Sequence, residues 1–151
     1  MLNNPNWKPQ PEVKIADVVR KSITSRDLGL LLRVREDLIS GKIKRREFNM
    51  ETFYNPHRCG TAACIGGWMA LYSYMEDRDL KKKDLNNIKQ CLVEDRVPHR
   101  TIFHNLYYPY ALDFFNWEKI TRDMAVMAID NFLAGDEDPW AAVAEMVRET
   151  R

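Results

Sequence analysis

The stretch that decides the fold is Arg58-Cys59-Gly60-Thr61-Ala62-Ala63-Cys64-Ile65-Gly66-Gly67-Trp68, which leads into a run of helix-forming apolar residues. Thr61 is predicted to be the N-cap of a helix, because a threonine oxygen accepts a free backbone N–H and Gly60 permits a tight entry. The helix is predicted over about residues 61–75, where apolar or small residues lie on nearly every side. A helix without a polar face is buried, so we place this one at the centre of the fold.

Two adjacent glycines, Gly66 and Gly67, fall inside this predicted central helix. Each costs about 1 kcal/mol relative to alanine in a helix interior. Such a cost is typical of a position where another group approaches too closely for a side chain to fit. We therefore expect the tightest part of the molecule, or a ligand, at these glycines.

Helical signals dominate the rest of the chain, and no strong alternating strand pattern or internal repeat is present. Residues 1–12 contain three prolines, so we expect them to form an extended arm. The fold class is predicted to be all-α, with five to seven helices packed around the central one in a single domain of residues 13–151. Helix boundaries are predicted at Ser25 and Gly41, at Thr121 and Gly135, and at Asp138-Pro139 for the start of the last helix.

The composition is that of an ordinary globular protein, with 151 residues, 45% hydrophobic and 30% charged. No apolar run approaches the roughly 18 residues that span a bilayer, and the first nine residues contain no hydrophobic signal core. Three cysteines are an odd number and too few for a secreted disulfide scaffold. We therefore expect a cytoplasmic protein without membrane association.

Charge is unevenly distributed although the net charge is only +1, a value that argues against a dedicated nucleic-acid binder. Residues 1–60 contain 12 Lys or Arg and 7 Asp or Glu, for a net charge of +5, whereas residues 61–151 contain 11 and 15, for −4. The basic excess includes residues 42–46 and the acidic excess includes residues 136–138, while the lysines of residues 81–83 are predicted to lie on a solvated connection. This division predicts head-to-tail self-association or an anionic partner, or else two solvated patches without a partner.

His57, Cys59 and Cys64 have the spacing His-x-Cys-x4-Cys, which raises the possibility of a metal site. Structural zinc sites usually present two closely spaced pairs of nitrogen or sulfur ligands, and the second pair is missing here. Ordinary buried cysteines account for the pattern equally simply. We expect no bound metal, with these three residues as the alternative ligands.

A cysteine nucleophile is a second hypothesis for the same segment. Cys59 precedes the predicted helix N-terminus, where partial positive charge lowers a thiol pKa, and Arg58 would add to that effect. His57 or His104 would then serve as the base. No protease signature surrounds Cys59, so a Cys-dependent hydrolase or transferase is kept as the alternative function.

An anion site is the third hypothesis. Free amides at the predicted first turn, from Ala62 onward, would hold a phosphate or carboxylate next to Thr61, with Gly60 giving access and Arg58 adding charge. Trp68 would stack a base. The segment is neither a Walker A loop nor a dinucleotide fingerprint, and we expect no cofactor. The alternative is that Thr61 simply caps a core helix.

Aromatic residues concentrate in residues 103–117, which hold 7 of the 16 aromatics of the chain. Tyr107, Tyr108 and Tyr110 surround Pro109 and cannot all point inward from an interrupted helix. Tyrosines are enriched in interfaces, where an apolar ring carries a polar tip. We predict that part of this surface is exposed and contacts a protein partner.

The segment Cys59–Trp68 resembles a group of small proteins encoded by phages, prophages and bacteria, which share the pattern Cys-Gly-Thr-x-x-Cys-Ile-x-Gly-Trp. The resemblance covers roughly residues 45–135, and many of these proteins have alanine at the position of Gly66. The group has no established activity, so the resemblance implies a genomic setting and a shared fold rather than a function. Phage-borne small proteins often inhibit or sequester host factors.

The hypothesis these patterns favour is an intracellular, non-catalytic binding protein. It would bind a host protein partner, or a phosphate-bearing small molecule at the Thr61 helix start, or both.

Overall fold

The computed structural model describes residues 8–51, 54–57, 60–88, 93–98, 101–112 and 114–149. Within them, six α-helices can be bounded: α1 (Asp17–Ser22), α2 (Ser25–Ser40), α3 (Ile65–Arg78), α4 (His104–Tyr107), α5 (Arg122–Leu133) and α6 (Ala141–Glu149). Short 3₁₀ helices cover Arg45–Glu47, Lys82–Asn87, Thr101–Phe103 and Phe114–Lys119. The predicted all-α class is confirmed.

A small antiparallel hairpin precedes the central helix and was not expected. Its strands are β1 (Tyr54–His57) and β2 (Gly60–Ala63), with Tyr54 opposite Ala63 and His57 opposite Gly60. Two strands of four residues each carry little alternation, so the hydrophobic pattern could not reveal them.

Helix α3 occupies the centre, as predicted, because every residue from Ile65 to Met75 is buried. It packs against α2, and α2 packs in turn against α5. A helix that is apolar all round is stable only with neighbours on every side, which explains this position.

The predicted start of the central helix at Thr61 is wrong, because Thr61 lies in β2 and the helix begins at Ile65. Cys64 is the N-cap, and its Sγ accepts the Gly67 N–H at 3.4 Å. Sulfur is a weak acceptor and is not among the usual capping groups, so Thr61 was the stronger sequence signal.

Other helix boundaries follow the sequence signals closely. Thr121 caps α5 by accepting the Met124 N–H at 3.2 Å, and Gly135 ends that segment with φ 91°. Helix α2 ends at Gly41 with φ 83°, a left-handed conformation that favours glycine. The N-cap of α2 is Thr24 rather than the predicted Ser25, a shift of one position.

The arm before α1 is fastened to the helical core. Residues 8–12 are not helical, and the Gln10 carbonyl accepts an N–H from Arg35 at 2.6 Å. Arg35, whose side chain is 4% exposed, also makes a two-point ion pair with Asp130, at 2.6 and 3.2 Å. The Ala16 N–H donates to the Leu133 carbonyl at 2.8 Å. These bonds tie the arm to α2 and α5 together.

Lys82 is less solvated than Lys81 and Lys83 beside it, because its side chain makes contacts that the sequence did not predict. Its Nζ pairs with Glu47 Oε1 at 2.7 Å and also donates to the Lys42 carbonyl. The Glu47 side chain is only 9% exposed, and the Glu47 carbonyl accepts the Trp68 indole N–H at 2.8 Å. Lys82 therefore helps to fix the 3₁₀ helix Arg45–Glu47 against α3.

Candidate functional site

A cavity of about 670 Å³ lies beside the first turn of α3. This volume falls within the range of roughly 300–1,000 Å³ that is typical of ligand pockets. Its described lining is mostly apolar and aromatic, and consists of Met50, Glu51, Cys64, Gly66, Glu94, Val97, Pro98, Thr101, His104, Tyr107, Tyr108 and Trp117. We call this cavity the aromatic cleft.

Tyr107 forms the inner wall of the aromatic cleft and explains one of the helix glycines. A Cβ at Gly66 would lie 3.3 Å from the Tyr107 ring, closer than ordinary van der Waals contact. The ring stacks on Phe103 with centroids 5.5 Å apart, and its hydroxyl donates to the Pro98 carbonyl at 3.0 Å. Burial raises the pKa of Tyr107, so the hydroxyl stays protonated. The close approach expected at this glycine is therefore an aromatic ring of the same chain.

Three side chains at the edge of the aromatic cleft contact one another, and we call them the aromatic triad: His104, Tyr108 and Tyr110. The ring centroids lie 4.8 Å apart for His104–Tyr108, 5.6 Å for His104–Tyr110 and 5.8 Å for Tyr108–Tyr110. The Tyr110 hydroxyl and His104 Nε2 share a hydrogen bond of 3.2 Å. Tyr108 is 43% exposed and Tyr110 is 65% exposed.

The backbone that carries the aromatic triad is held in place. The Trp117 indole N–H lies 3.2 Å from the Pro109 carbonyl and 3.3 Å from the Leu112 carbonyl. The Tyr110 N–H donates to the Tyr108 carbonyl at 2.8 Å. A surface whose side chains are fixed before binding loses less conformational entropy when a partner docks.

The charges around the aromatic cleft do not suit an anion. Its described lining includes the carboxylates Glu51 and Glu94 and contains no Lys or Arg. At the start of α3, the amide of Gly67 already donates to Cys64 Sγ. These features favour an uncharged or cationic occupant over a phosphate group.

Cys64 is the cysteine that the described residues contain, and its surroundings favour the neutral thiol. Burial raises the pKa of Cys64, while the hydrogen bond from the Gly67 amide partly opposes that effect. A buried thiol with a raised pKa is a poor nucleophile. Its contact with Gly67 supports a structural role as the helix cap.

Several residues of the predicted sites lie outside what the structure describes. Arg58 and Cys59 fall outside the described residues, and His57, Gly60, Thr61 and Ala62 are described only as backbone of the hairpin. The anion site was predicted at the start of a helix, but Gly60, Thr61 and Ala62 lie in β2. The backbone amides of these residues therefore belong to a strand and not to the first turn of a helix.

Trp68 does not line a ligand surface, whereas two of the three alternative metal ligands, Cys59 and the His57 side chain, lie outside what the structure describes. Trp68 is fully buried in the core rather than at a ligand surface, and its indole N–H is taken by Glu47. Among the described residues, no group of three or more His, Cys, Asp or Glu side chains is arranged to hold a metal ion.

Comparison with known proteins gives no match to a family model, a curated protein or a solved structure. Within the described ranges, none of the helices has the length and apolar character needed to cross a bilayer.

His104 and Trp117 complete the site in ways that the sequence did not predict. The sequence predicts His104 as a candidate base for Cys59, whereas the structure shows its ring in contact with two tyrosine rings. The sequence feature that pointed to this site was the density of aromatic residues in residues 103–117. It indicated the region but not which rings would contact one another.

Proposed function

We propose that this protein is a non-catalytic binding protein that engages a protein partner through the aromatic triad and the aromatic cleft behind it. The observation that carries this proposal is the pair of exposed tyrosines, Tyr108 and Tyr110, in mutual contact at the edge of a preformed cavity. A partner side chain would enter the aromatic cleft while the tyrosine rings cover it.

Tyrosines in this position fit the known energetics of interfaces. A few residues contribute most of the binding free energy, and tyrosine is among the commonest of them. Such residues sit in or beside pockets from which water is excluded on binding, and truncating one typically costs 2 kcal/mol or more. The fixed turn around Pro109 further favours a preformed contact surface.

The setting of this proposal comes from the sequence. The resemblance of Cys59–Trp68 to phage-encoded proteins supports a host protein as the partner, bound in the cytoplasm and inhibited or sequestered by the contact. Catalysis by Cys59 stays the alternative, and Cys59→Ser tests it directly, because binding to the partner would survive that change.

Site-specific photocrosslinking tests the proposal in living cells. A photoreactive phenylalanine analogue is placed at position 110 in one sample and at the exposed position 83, on the 3₁₀ helix Lys82–Asn87, in the other. We expect a discrete partner to crosslink from position 110 and not from position 83.

The purified partner then gives the quantitative test. Tyr110→Ala should weaken its binding by about 30-fold, which corresponds to about 2 kcal/mol, while Lys83→Ala should change it less than twofold. A partner that binds the double variant Tyr108→Ala/Tyr110→Ala as tightly as the unchanged protein would contradict the proposal.

A second candidate is a small molecule held in the aromatic cleft, favoured by the cavity volume of about 670 Å³. The described lining fits an uncharged or cationic aromatic compound better than the phosphate-bearing ligand expected from the sequence. Thermal-shift screening of matched nucleosides and nucleotides separates these, because a nucleoside should raise the melting temperature more than its phosphorylated form. A larger shift with the nucleotide would overturn this ordering.

A further inference from the structure

A groove of about 850 Å³ lies at the N-terminal end of α5, on a part of the molecule that the aromatic cleft does not use. Its apolar floor includes Phe48 and Ile120, which are 7% and 5% exposed. Arg45, Lys119 and Arg122 line its sides. We call it the basic groove.

Positive charge is concentrated around the basic groove. Lys42, Lys44 and Arg46 are exposed on the segment that also carries Arg45, and Arg122 is joined to that segment by a hydrogen bond of 3.2 Å to the Ile43 carbonyl. In the part of the chain that the structure describes, none of these side chains, nor that of Lys119, forms an ion pair with a carboxylate, although the Glu47 carboxylate accepts the Lys44 backbone N–H at 2.8 Å. Within the lining itself, three cations, Arg45, Lys119 and Arg122, stand against two carboxylates, Glu118 and Asp123.

Beside the opposite end of α5, helix α1 presents an exposed apolar side chain close to a group of acids. Val18 is 59% exposed, and its Cγ1 lies 3.4 Å from the position that a Cβ at Gly135 would occupy. Exposed carboxylates follow directly at residues 136–138, and Asp17 precedes Val18. We call Val18 and these four acids the acidic knob.

The acidic knob is held on a rigid base. The Ala16 N–H donates to the Leu133 carbonyl at 2.8 Å, which fixes the start of α1 on the end of α5. The Asn105 side chain donates to the Glu137 carbonyl at 3.1 Å. Exposed cations also occur on this arm and helix, at Lys14, Arg20 and Lys21. None of them pairs with a knob carboxylate among the described residues.

The two surfaces cannot satisfy each other within one molecule. Helix α5 has 12 residues, so about 18 Å separates its ends at 1.5 Å per residue. That distance exceeds the Debye length of about 8 Å at physiological ionic strength. Direct contact between the two surfaces therefore requires a second copy of the chain.

We propose that this protein associates with itself head to tail, with the acidic knob of one copy seated in the basic groove of the next. Val18 would contact the apolar floor of Phe48 and Ile120 while the knob acids face Arg45, Lys119 and Arg122. Because the two surfaces differ, the contact is heterologous and each copy keeps one free surface of each kind. The product is a chain or a ring and not a closed two-fold dimer.

The features of the basic groove favour this occupant over a nucleic acid. A phosphate backbone carries no apolar group that would contact the floor of the groove. The acidic knob can contact the apolar floor through Val18 and pair with the cations of the groove through its carboxylates.

Sedimentation analysis of the full chain tests the proposal at 50 mM and 500 mM salt. At low salt the average mass should rise with protein concentration beyond twice the 17.8 kDa of one chain. High salt should weaken the association at least about tenfold, because exposed charge pairs are screened. A constant mass of 17.8 kDa, or a mass that stops at a dimer, would overturn the proposal.

Two charge-reversal variants make the test specific. The groove variant is Arg45→Glu/Lys119→Glu, and the knob variant is Val18→Lys/Glu137→Lys. Each variant alone should be monomeric, with an unchanged circular dichroism melting curve, because each lacks one of the two surfaces. The matched control Lys81→Glu/Lys83→Glu, on exposed residues outside both surfaces, should associate like the unchanged protein.

Mixing the two variants distinguishes head-to-tail contact from other arrangements. The groove variant keeps its knob and the knob variant keeps its groove, so an equimolar mixture should associate although each variant alone does not. Variants that stay monomeric in the mixture would refute the pairing of these two surfaces. Retention of the unchanged protein on heparin without self-association would refute it in favour of a polyanion partner.

Discussion

Replacing Tyr72 with phenylalanine removes one hydroxyl and leaves the shape of the core unchanged. That hydroxyl donates to Asp37 Oδ2 at 2.5 Å, and the two residues are 3% and 7% exposed. The ring contact with Trp68, at 5.5 Å between centroids, persists in the variant. The substitution therefore isolates a single hydrogen bond to a buried carboxylate.

The expected loss of stability follows from that geometry. Hydrogen bonds to charged groups contribute roughly 1.5–3 kcal/mol, and water cannot readily replace this one. We therefore expect Tyr72→Phe to lower the free energy of unfolding by about 2 kcal/mol, which lowers the Tm by about 4–8 °C for a chain of this size. Tyr108→Phe, at an exposed ring, should change it by less than about 0.5 kcal/mol.

Urea unfolding of a double-mutant cycle with Asp37→Asn measures the contact itself. Because both substitutions act on the same hydrogen bond, their effects should not add, and the coupling free energy should be about 1–2 kcal/mol. A loss below about 0.5 kcal/mol for Tyr72→Phe, or additive effects in the cycle, would refute the reasoning.

The same residue predicts a change of stability at high pH. Burial, and then the hydrogen bond to Asp37, raise the pKa of Tyr72 above its ordinary value. Its protonated form therefore stabilises the fold fully below about pH 10, and this contribution is lost as pH rises further. Above pH 10 the free energy of unfolding should fall by about 1.4 kcal/mol per pH unit from this residue, and Tyr72→Phe should remove that slope.

Three further substitutions test other contacts, and the first two have matched comparisons in the chain. Lys82→Met should lower the free energy of unfolding by about 1–2 kcal/mol in urea titrations, because Glu47 loses its ion-pair partner, whereas the adjacent Lys83→Met should change it by less than about 0.5 kcal/mol. Gly29→Ala should stabilise the protein by about 0.5–1 kcal/mol in thermal melts, since nothing lies within 4 Å of the new Cβ, while Gly66→Ala should bring no such gain against the ring 3.3 Å away. Tyr107→Phe should reduce the loss of stability above pH 10, by about 1.4 kcal/mol per pH unit, because burial raises the pKa of that hydroxyl. Equal effects of Lys82→Met and Lys83→Met, or of Gly29→Ala and Gly66→Ala, would contradict the first two predictions. An unchanged slope of stability against pH above pH 10 in Tyr107→Phe would contradict the third.

Local signals in the sequence predicted the helical framework well. Thr121 begins α5 by capping a backbone N–H of its first turn, and Gly135 follows its end in a left-handed conformation. Both roles depend on residues that are close in sequence, so the sequence alone reveals them. The central place of α3 followed from its apolar surface on every side. Both inferences need only the residues of one helix.

Features that depend on distant residues escaped prediction. The pairing of Lys82 with Glu47 joins positions 35 apart. Cys64 escaped prediction for a local reason, because its sulfur is a weak acceptor and is not among the usual capping groups. The aromatic cleft likewise requires Gly66 and Tyr107 to meet across the fold. Aromatic density predicted an exposed tyrosine surface, but packing alone decided that Tyr107 turns inward.

The ion pair between Arg35 and Asp130 has a consequence for synthesis on the ribosome. The two partners lie 95 positions apart, and translation at 5–20 residues per second separates their emergence by roughly 5–20 s. During that interval α2 lacks both α5 and the carboxylate that neutralises its buried guanidinium. The nascent chain therefore exposes apolar surface until residue 130 clears the exit tunnel, so a chaperone has several seconds in which to bind it.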